Sequence, residues 1–216
     1  MYDAVVLTLG FEPGPLISAV ASCATEGLSE NSRIIVLTAG FYDERSERAW
    51  RQFQNIIGMM DITKRLQASL ERYQIPLDDF THAVRTIRNL YQEIKDLRVK
   101  ISITGGMRAL GLATFVAYLL TDWTHDPRLE IYLEGRGQVL EIPKLHKLMG
   151  YPLTQERLNL LRSMLPGRAY KPSDLSGFLR KDRSTIYRQL QALVEAGLVE
   201  RADGGYRLTK LGTLLV

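Results

Sequence analysis

Hydrophobic and polar positions alternate along the first 145 residues in a way that predicts short apolar strands separated by amphipathic helices. DAVVLTLG, Asp3 to Gly10, reads as a buried parallel strand, followed by a loop at Phe11 to Gly14 and a helix from Pro15 to Gly27. Pro15 suits a first helical turn. SRIIVLT, Ser32 to Thr38, is a second buried strand, and the loop AGFYD leads from it into a charged amphipathic helix from about Glu44 to Gly58. Met59 to Leu70 fits a helix less sharply, and Glu71 to Leu77 reads as a third strand that Pro76 assigns to an edge. Phe80, Val84, Ile87, Leu90, Tyr91 and Ile94 recur at helical spacing and predict a helix from Asp79 to about Asp96. A strand over Val99 to Ile103 and an apolar helix over Ala109 to Leu120 follow. Strands at Leu129 to Leu133 and Val139 to Ile142 read as a hairpin around Glu134 to Gly137.

This alternation argues for an α/β fold, a mostly parallel Rossmann-like sheet with helices on both faces. In the common strand order the first and fourth strands lie side by side where the winding reverses, and ligands bind at that point beyond the strand C-termini. Both strands end in glycine-bearing loops, TLGFEP at 8 to 13 and TGGMR at 104 to 108. Gly105 and Gly106 allow positive φ and close approach of backbone to a ligand, Arg108 supplies a cation, and the following helix turns its N-terminal N–H groups on the same spot. That order of parts suits a phosphate, although glycines also serve plain strand-to-helix turns. Glu12 fits a base, a hydrogen-bonding partner for ribose or adenine, or a helix N-terminal charge equally well.

A second pattern begins near Thr154. TQERLNLLRSML is one helix, stopped by Pro166 and Gly167; Ser173 is expected to cap a short helix, Asp174 to Arg180, and a turn at Lys181 to Arg183 leads to a longer one. Ile186, Leu190, Leu193 and Val194 form that helix's apolar face, leaving Ser184, Thr185, Tyr187, Arg188 and Gln191 outward. Leu198 to Arg201 and Tyr206 to Leu208 flank AspGlyGly, the mark of a two-stranded wing. The whole reads as a winged helix-turn-helix. Arg183, Ser184, Thr185, Tyr187 and Arg188 are the candidates to enter a major groove of double-stranded DNA, with Lys181, Arg180, Arg201 and Arg207 suited to phosphates. A winged helix that binds protein is the alternative. The expected division is therefore 1–145 for the first domain, 146–153 for a linker and 154–216 for the second.

Charge strengthens the nucleic-acid reading. The net charge is +4, yet residues 151–216 hold eleven Lys/Arg against six Asp/Glu while residues 1–150 hold seventeen against eighteen, so the basic excess lies in the second domain. Cys23 is the sole cysteine, which excludes an intrachain disulfide and fits a cytoplasmic setting; the small residues around it suggest a buried thiol. Neither a basic n-region nor a cleavage site lies ahead of the first strand, so export is not expected, and the apolar run 109–120 falls short of the roughly 18 residues of a membrane span. His82, His125 and His146 lack partners at ligand spacing, so no metal is expected. G-x-G-x-x-G and G-x-x-x-x-G-K-[ST] are both absent, which argues against a dehydrogenase and a simple ATPase, and no other cofactor is expected.

ThrLeuGlyPhe at 8 to 11, ThrGlyGlyMetArg at 104 to 108 and the terminal winged helix together resemble the CRISPR-associated regulators that join an N-terminal CARF domain to a C-terminal winged helix. The resemblance implies a homodimer whose two CARF domains share a pocket for a cyclic oligoadenylate, most often the four-membered ring. It implies ligand contacts from Thr8, Leu9, Gly10, Phe11, Glu12, Thr104, Gly105, Gly106, Met107 and Arg108. Some CARF proteins cleave their ligand by attack of a ribose 2′-hydroxyl on the next phosphate. Neither loop here carries a lysine or histidine base, so no catalytic residue is assigned, and the expected role is a transcriptional regulator rather than an enzyme. Ring cleavage and ligand-independent DNA binding stand as the rivals.

Overall fold

Strand β1, Tyr2–Thr8, is closed to solvent from Ala4 to Thr8, and the rest of its sheet is built outward from it. A computed structural model describes residues 1–60, 66–133 and 138–216, which fall into two units, Met1–Lys144 and Leu145–Val216. In the first, β1 is joined by β2 (Leu28–Ala39), β3 (Ser69–Ile75), β4 (Val99–Ser102), β5 (Arg128–Leu133) and β6 (Gln138–Ile142) in the order β3-β2-β1-β4-β5-β6. All pairings are parallel except β5 with β6. The first and fourth strands are therefore neighbours, as the strand pattern predicts, and the winding reverses between them.

Side chains alternate across this sheet with the two-residue period of extended chain. Val5, Leu7, Ile34 and Val36 face helices α1 (Gly14–Glu26) and α2 (Glu44–Met59), while Ala4, Val6, Ile35, Leu37, Val99 and Ile101 face α3 (Phe80–Ile94) and α4 (Arg108–Leu120). Helix α2 starts where Asp43 accepts from the Arg45 and Ser46 amides, and it buries Ala49, Trp50, Phe53 and Ile57. Each large side chain so buried contributes about 1.5–3 kcal/mol. Helix α3 buries Val84, Ile87, Leu90, Tyr91 and Ile94 as expected, but Phe80, in its first turn, is 45% exposed.

Several boundaries differ from the sequence reading for identifiable reasons. Strand β3 ends at Ile75, because Pro76 brings no N–H to a ladder, and it forms a sheet edge. The helix expected over 59–70 lies partly outside the described residues, at 61–65, and its last two residues belong to β3. The hairpin turn at 134–137 is likewise outside them. Helix α4 begins at Arg108, so that residue is part of its first turn.

The second unit opens with a 3-10 turn, Leu145–Leu148, followed by α5 (Gln155–Arg162), α6 (Pro172–Leu179), α7 (Arg183–Glu195), an antiparallel pair β7 (Val199–Ala202) and β8 (Gly205–Leu208), and a final turn α8 (Lys210–Thr213). Leu160, Leu161, Leu175, Ile186, Leu190, Leu193 and Leu198 form its core, and Leu145, Leu148, Tyr151 and Leu153 pack on it. Residues 146–153, expected as a linker, are thus part of this unit. Ser173 does not cap α6. Pro172 suits the first helical position, so the helix starts earlier, with Lys171 as N-cap and its backbone N–H donating to Asp174.

One polar cluster interrupts the apolar layers. Lys100 of β4 is fully buried, with Nζ 3.1 Å from Glu26 of α1 and 3.1 Å from Glu130 of β5, and Arg128 reaches the same two carboxylates at 3.0 and 3.4 Å. Burial raises the Glu130 carboxyl above its ordinary value against the pull of Lys100 and Arg128. Cys23 lies against this cluster, and burial pushes its thiol up to about 12, which leaves it inert. Removing one member of a buried pair strands the other, so Lys100→Met should cost about 3–5 kcal/mol in urea unfolding. The double variant Lys100→Met/Glu130→Leu should recover part of that loss; a double variant as unstable as the sum of the singles would contradict the pairing.

At the same N-terminal end of the sheet, the Asp3 carboxylate accepts from the Arg98 backbone N–H at 3.1 Å, its guanidinium at 2.9 Å and Ser29 at 2.6 Å. The Arg98 guanidinium, first among these, holds the Asp3 carboxyl far below the usual carboxylate range. A depressed carboxylate stabilises the fold above its unfolded pKa, about 3.9, and loses that contribution as pH falls toward the folded value. Asp3→Asn should therefore lower the thermal midpoint at pH 7, and the gap to wild type should begin to narrow as pH falls below about 4. A gap unchanged at pH 3 would contradict this.

Candidate functional site

The C-terminal ends of β1 and β4 are held together by bare backbone. A Cβ on Gly10 would lie 2.6 Å from the Gly106 nitrogen, and one on Gly105 would lie 2.7 Å from the Thr8 carbonyl oxygen. Gly106 itself has φ +93°, a conformation that side chains resist. The buried Thr8 hydroxyl donates to the Gly105 carbonyl at 2.6 Å, and the Leu9 amide donates to Leu37 at 2.9 Å, so the first loop is tied to strands on both sides.

This packing sorts the ten residues expected at the site. Leu9 is buried with the α1 face of the core, Thr8 is closed to solvent with its hydroxyl committed to Gly105, and Thr104 shares a 2.8 Å hydrogen bond with Ser102 while accepting from the Tyr132 amide. The side chains of these three are engaged within the loops and the core. Phe11, Glu12, Gly106, Met107 and Arg108 are exposed, with Gly10 and Gly105 partly so beneath them. Helix α4 has Met107 as N-cap and no side-chain cap, so its first N–H groups are left for another acceptor. Arg108 stands in that turn and makes no ion pair among the described residues. An uncapped helix N-terminus, a free guanidinium and glycine backbone on one rim can receive a phosphate.

One participant escaped the sequence reading. Arg45, in the first turn of α2, places its guanidinium 4.0 Å from the centroid of the Phe11 ring. Nothing in the spacing of 41–45 marks it. Only the adjacency of β2 and β1 brings the two loops together.

In the second unit, α6 and α7 are joined through Arg180, which adopts a left-handed conformation at φ +51°, Lys181 and Asp182. Helix α7 exposes Arg183, Ser184, Tyr187 and Arg188, with Thr185 half-buried and Ile186, Leu190 and Leu193 inward. The basic residues expected at DNA divide into two groups. Lys181 is 2.5 Å from Glu156, Arg207 pairs with Glu200, and Arg201 donates to Gln191 at 3.1 Å. Arg183, Arg188 and Arg180 have no ion-pair partner among the described residues.

Residues 3–143 match the family model of the Csa3 CRISPR-associated Rossmann-like domain. The chain belongs to that family. Its first unit is thus a CARF domain, and the glycine-packed rim is the C-terminal edge of that CARF sheet. Residues 152–216 are similar to the HVO_A0261 N-terminal domain. Among solved structures, Can2 from Sulfobacillus thermosulfidooxidans in complex with cyclic tetra-adenylate is similar at 14% identity and TM-score 0.44, over 98% of this chain and 62% of that one. Enterococcus italicus Csm6 bound to cyclic hexa-2′-fluoro-hexa-dAMP is similar at 9% identity and TM-score 0.51, over 91% of this chain and 50% of that one, a likeness of fold. The CARF chain spans between half and two thirds of the length of these two structures. No curated protein matches it in sequence. Among the described residues no group of His, Cys, Asp and Glu is placed to hold a metal ion, and no helix is long and apolar enough to cross a membrane.

The glycine contacts of the CARF rim make a direct test. Gly10→Ala forces a methyl against backbone that has no side chain to move aside, so it should destabilise by about 1–3 kcal/mol in urea unfolding. Gly14→Ala, four residues on, meets nothing within 4 Å and should be neutral or slightly stabilising. Equal effects of the two would contradict the close packing.

Proposed function

We propose that this CARF protein is a CRISPR-associated transcriptional regulator that senses a cyclic oligoadenylate, cyclic tetraadenylate first among them, and binds double-stranded DNA through its C-terminal unit. The observation that carries the reading is the rim itself: Arg108 without an ion pair among the described residues, the α4 N-terminus without a side-chain cap, and the Gly10, Gly105 and Gly106 backbone open beneath them. Phosphates of a ring nucleotide match that donor set. Phe11 and Met107, 47% and 41% exposed, supply apolar surface for sugar or base. The rim of one chain is open, and a second copy across a two-fold axis closes it into a pocket, so the working form is a homodimer.

The C-terminal helix-turn-helix and hairpin fit a winged helix, with α7 as the helix that enters the major groove. Arg183 and Arg188 are unengaged within the fold and suit guanine edges. Lys181, Arg201 and Arg207, held by Glu156, Gln191 and Glu200, suit phosphates set at fixed positions. Ligand at the dimer axis alters the spacing of two recognition helices that must meet half-sites about one helical turn apart. Coupling of this kind is worth on the order of 1–3 kcal/mol, or about 5- to 150-fold in operator affinity. TLGFEP and TGGMR hold no lysine or histidine to act as a base, which favours a sensor that leaves the ring intact over a ring nuclease.

Electrophoretic mobility shifts on promoter DNA of the protein's own CRISPR locus, with and without cyclic tetraadenylate, test both sites at once. Arg108→Ala should keep basal DNA affinity and lose the ligand response, while Arg188→Ala should lose at least tenfold in DNA affinity, in the range of one bidentate base contact. An Arg188→Ala protein that binds DNA like wild type would remove α7 from the groove; an Arg108→Ala protein with an intact ligand response would remove Arg108 from the sensor site.

A further inference from the structure

We propose that Arg45, laid over Phe11, is a third element of the CARF ligand site, the surface on which an adenine of the bound ring stacks. The proposal rests on the sensing function above. It starts from the guanidinium 4.0 Å from the Phe11 ring centroid, a contact that joins the loop after β2 to the loop after β1. Arg45 is 67% exposed and Phe11 47%, so the pair sits on the surface and contributes little to the core. An exposed cation–π contact of this kind contributes little to stability.

Among the described residues, Asp43 is the one carboxylate that pairs with this guanidinium. It stands 3.7 Å away through Oδ2, while Oδ1 accepts the Arg45 and Ser46 amides to cap α2. An exposed pair at that distance holds a side chain weakly. The loop that delivers Arg45 is itself fixed, since the Gly40 amide donates to Ile75 at 2.7 Å, and it presents two further rings to solvent, Phe41 at 51% and Tyr42 at 79% exposure. Open aromatic rings beside an exposed, weakly held guanidinium form the kind of surface on which single-stranded bases stack.

Arg45 and Arg108 enter the rim from strands on either side of β1, about 10 Å apart at the strand ends. They therefore meet different parts of one ligand. Arg108, beside the α4 N–H groups, takes phosphate. Arg45, with one face occupied by Phe11, offers the plane of its guanidinium to a base, a role that an ammonium cannot fill.

Calorimetric titration of the full-length chain with cyclic tetraadenylate, across wild type, Arg45→Met, Arg45→Lys and Arg108→Ala, tests the assignment, with thermal midpoints recorded for each. Both Arg45 variants should keep the wild-type midpoint within a few degrees and lose roughly tenfold or more in affinity, the size of one base stack. Arg45→Lys should not rescue. The salt dependence of binding should flatten in Arg108→Ala and stay steep in Arg45→Met, since stacking releases no counterion. Wild-type affinity in Arg45→Met, with or without a lowered midpoint, would make the Phe11 contact a loop staple and overturn the proposal. Rescue by Arg45→Lys would make it a charge contact and overturn the stack. If Arg108→Ala loses affinity while both Arg45 variants bind normally, this inference fails alone; if wild type does not bind, it fails together with the sensing function.

Discussion

Two loops that pack glycine backbone against backbone hold the ends of β1 and β4 together. Because Gly10, Gly105 and Gly106 carry no side chains, the ends of β1 and β4 approach to distances that a single methyl would violate. The Thr8 hydroxyl closes the contact with a hydrogen bond to Gly105. The same two strands are fastened at their other ends by Asp3 and Arg98. What the close approach leaves uncovered is as important as what it joins. Glycines put no side chain into the space above the strand ends, so backbone N–H groups, the α4 N-terminus and Arg108 stand open at the point where the sheet's winding reverses.

The architecture was legible in the sequence to the extent that period and punctuation specify it. The β1, β2 and β4 runs alternate faces and lie buried, and the two glycine loops fall where a doubly wound sheet puts its ligand. The rim's internal bookkeeping was not legible. Thr8, Leu9 and Thr104 look like loop residues in a string, but hydrogen bonds to Gly105, Ser102 and Tyr132 and the packing of Leu9 turn them inward. Arg45 was invisible because its meaning comes from a neighbouring strand rather than from its own segment. Lys100 hides in the same way: VKISI reads as an ordinary strand, and only Glu26 of α1 and Glu130 of β5, folded over it, explain a lysine closed to water.

The second unit obeys a different economy. Its core is a small set of leucines, and its outward face is basic, yet three of its cations are already engaged by Glu156, Glu200 and Gln191. Such pairs keep Lys181, Arg201 and Arg207 in place without neutralising α7, where Arg183 and Arg188 stay unpaired. That division suits the role proposed for this unit, with fixed cations at the periphery and unengaged ones on α7. In the CARF unit the arrangement is parallel: Arg98, Arg128 and Arg33 are consumed by carboxylates at 2.9, 3.0 and 2.7 Å, and Arg108 is not.

The central claim is that the glycine rim binds a ring nucleotide and leaves it whole. Isothermal titration of the wild-type protein with cyclic tetraadenylate, followed by chromatography of the recovered ligand, tests it most directly. The account predicts saturable binding at one ring per two chains with the ring recovered intact. Linear fragments would make the protein a nuclease, and the absence of binding would leave the rim without the ligand proposed for it.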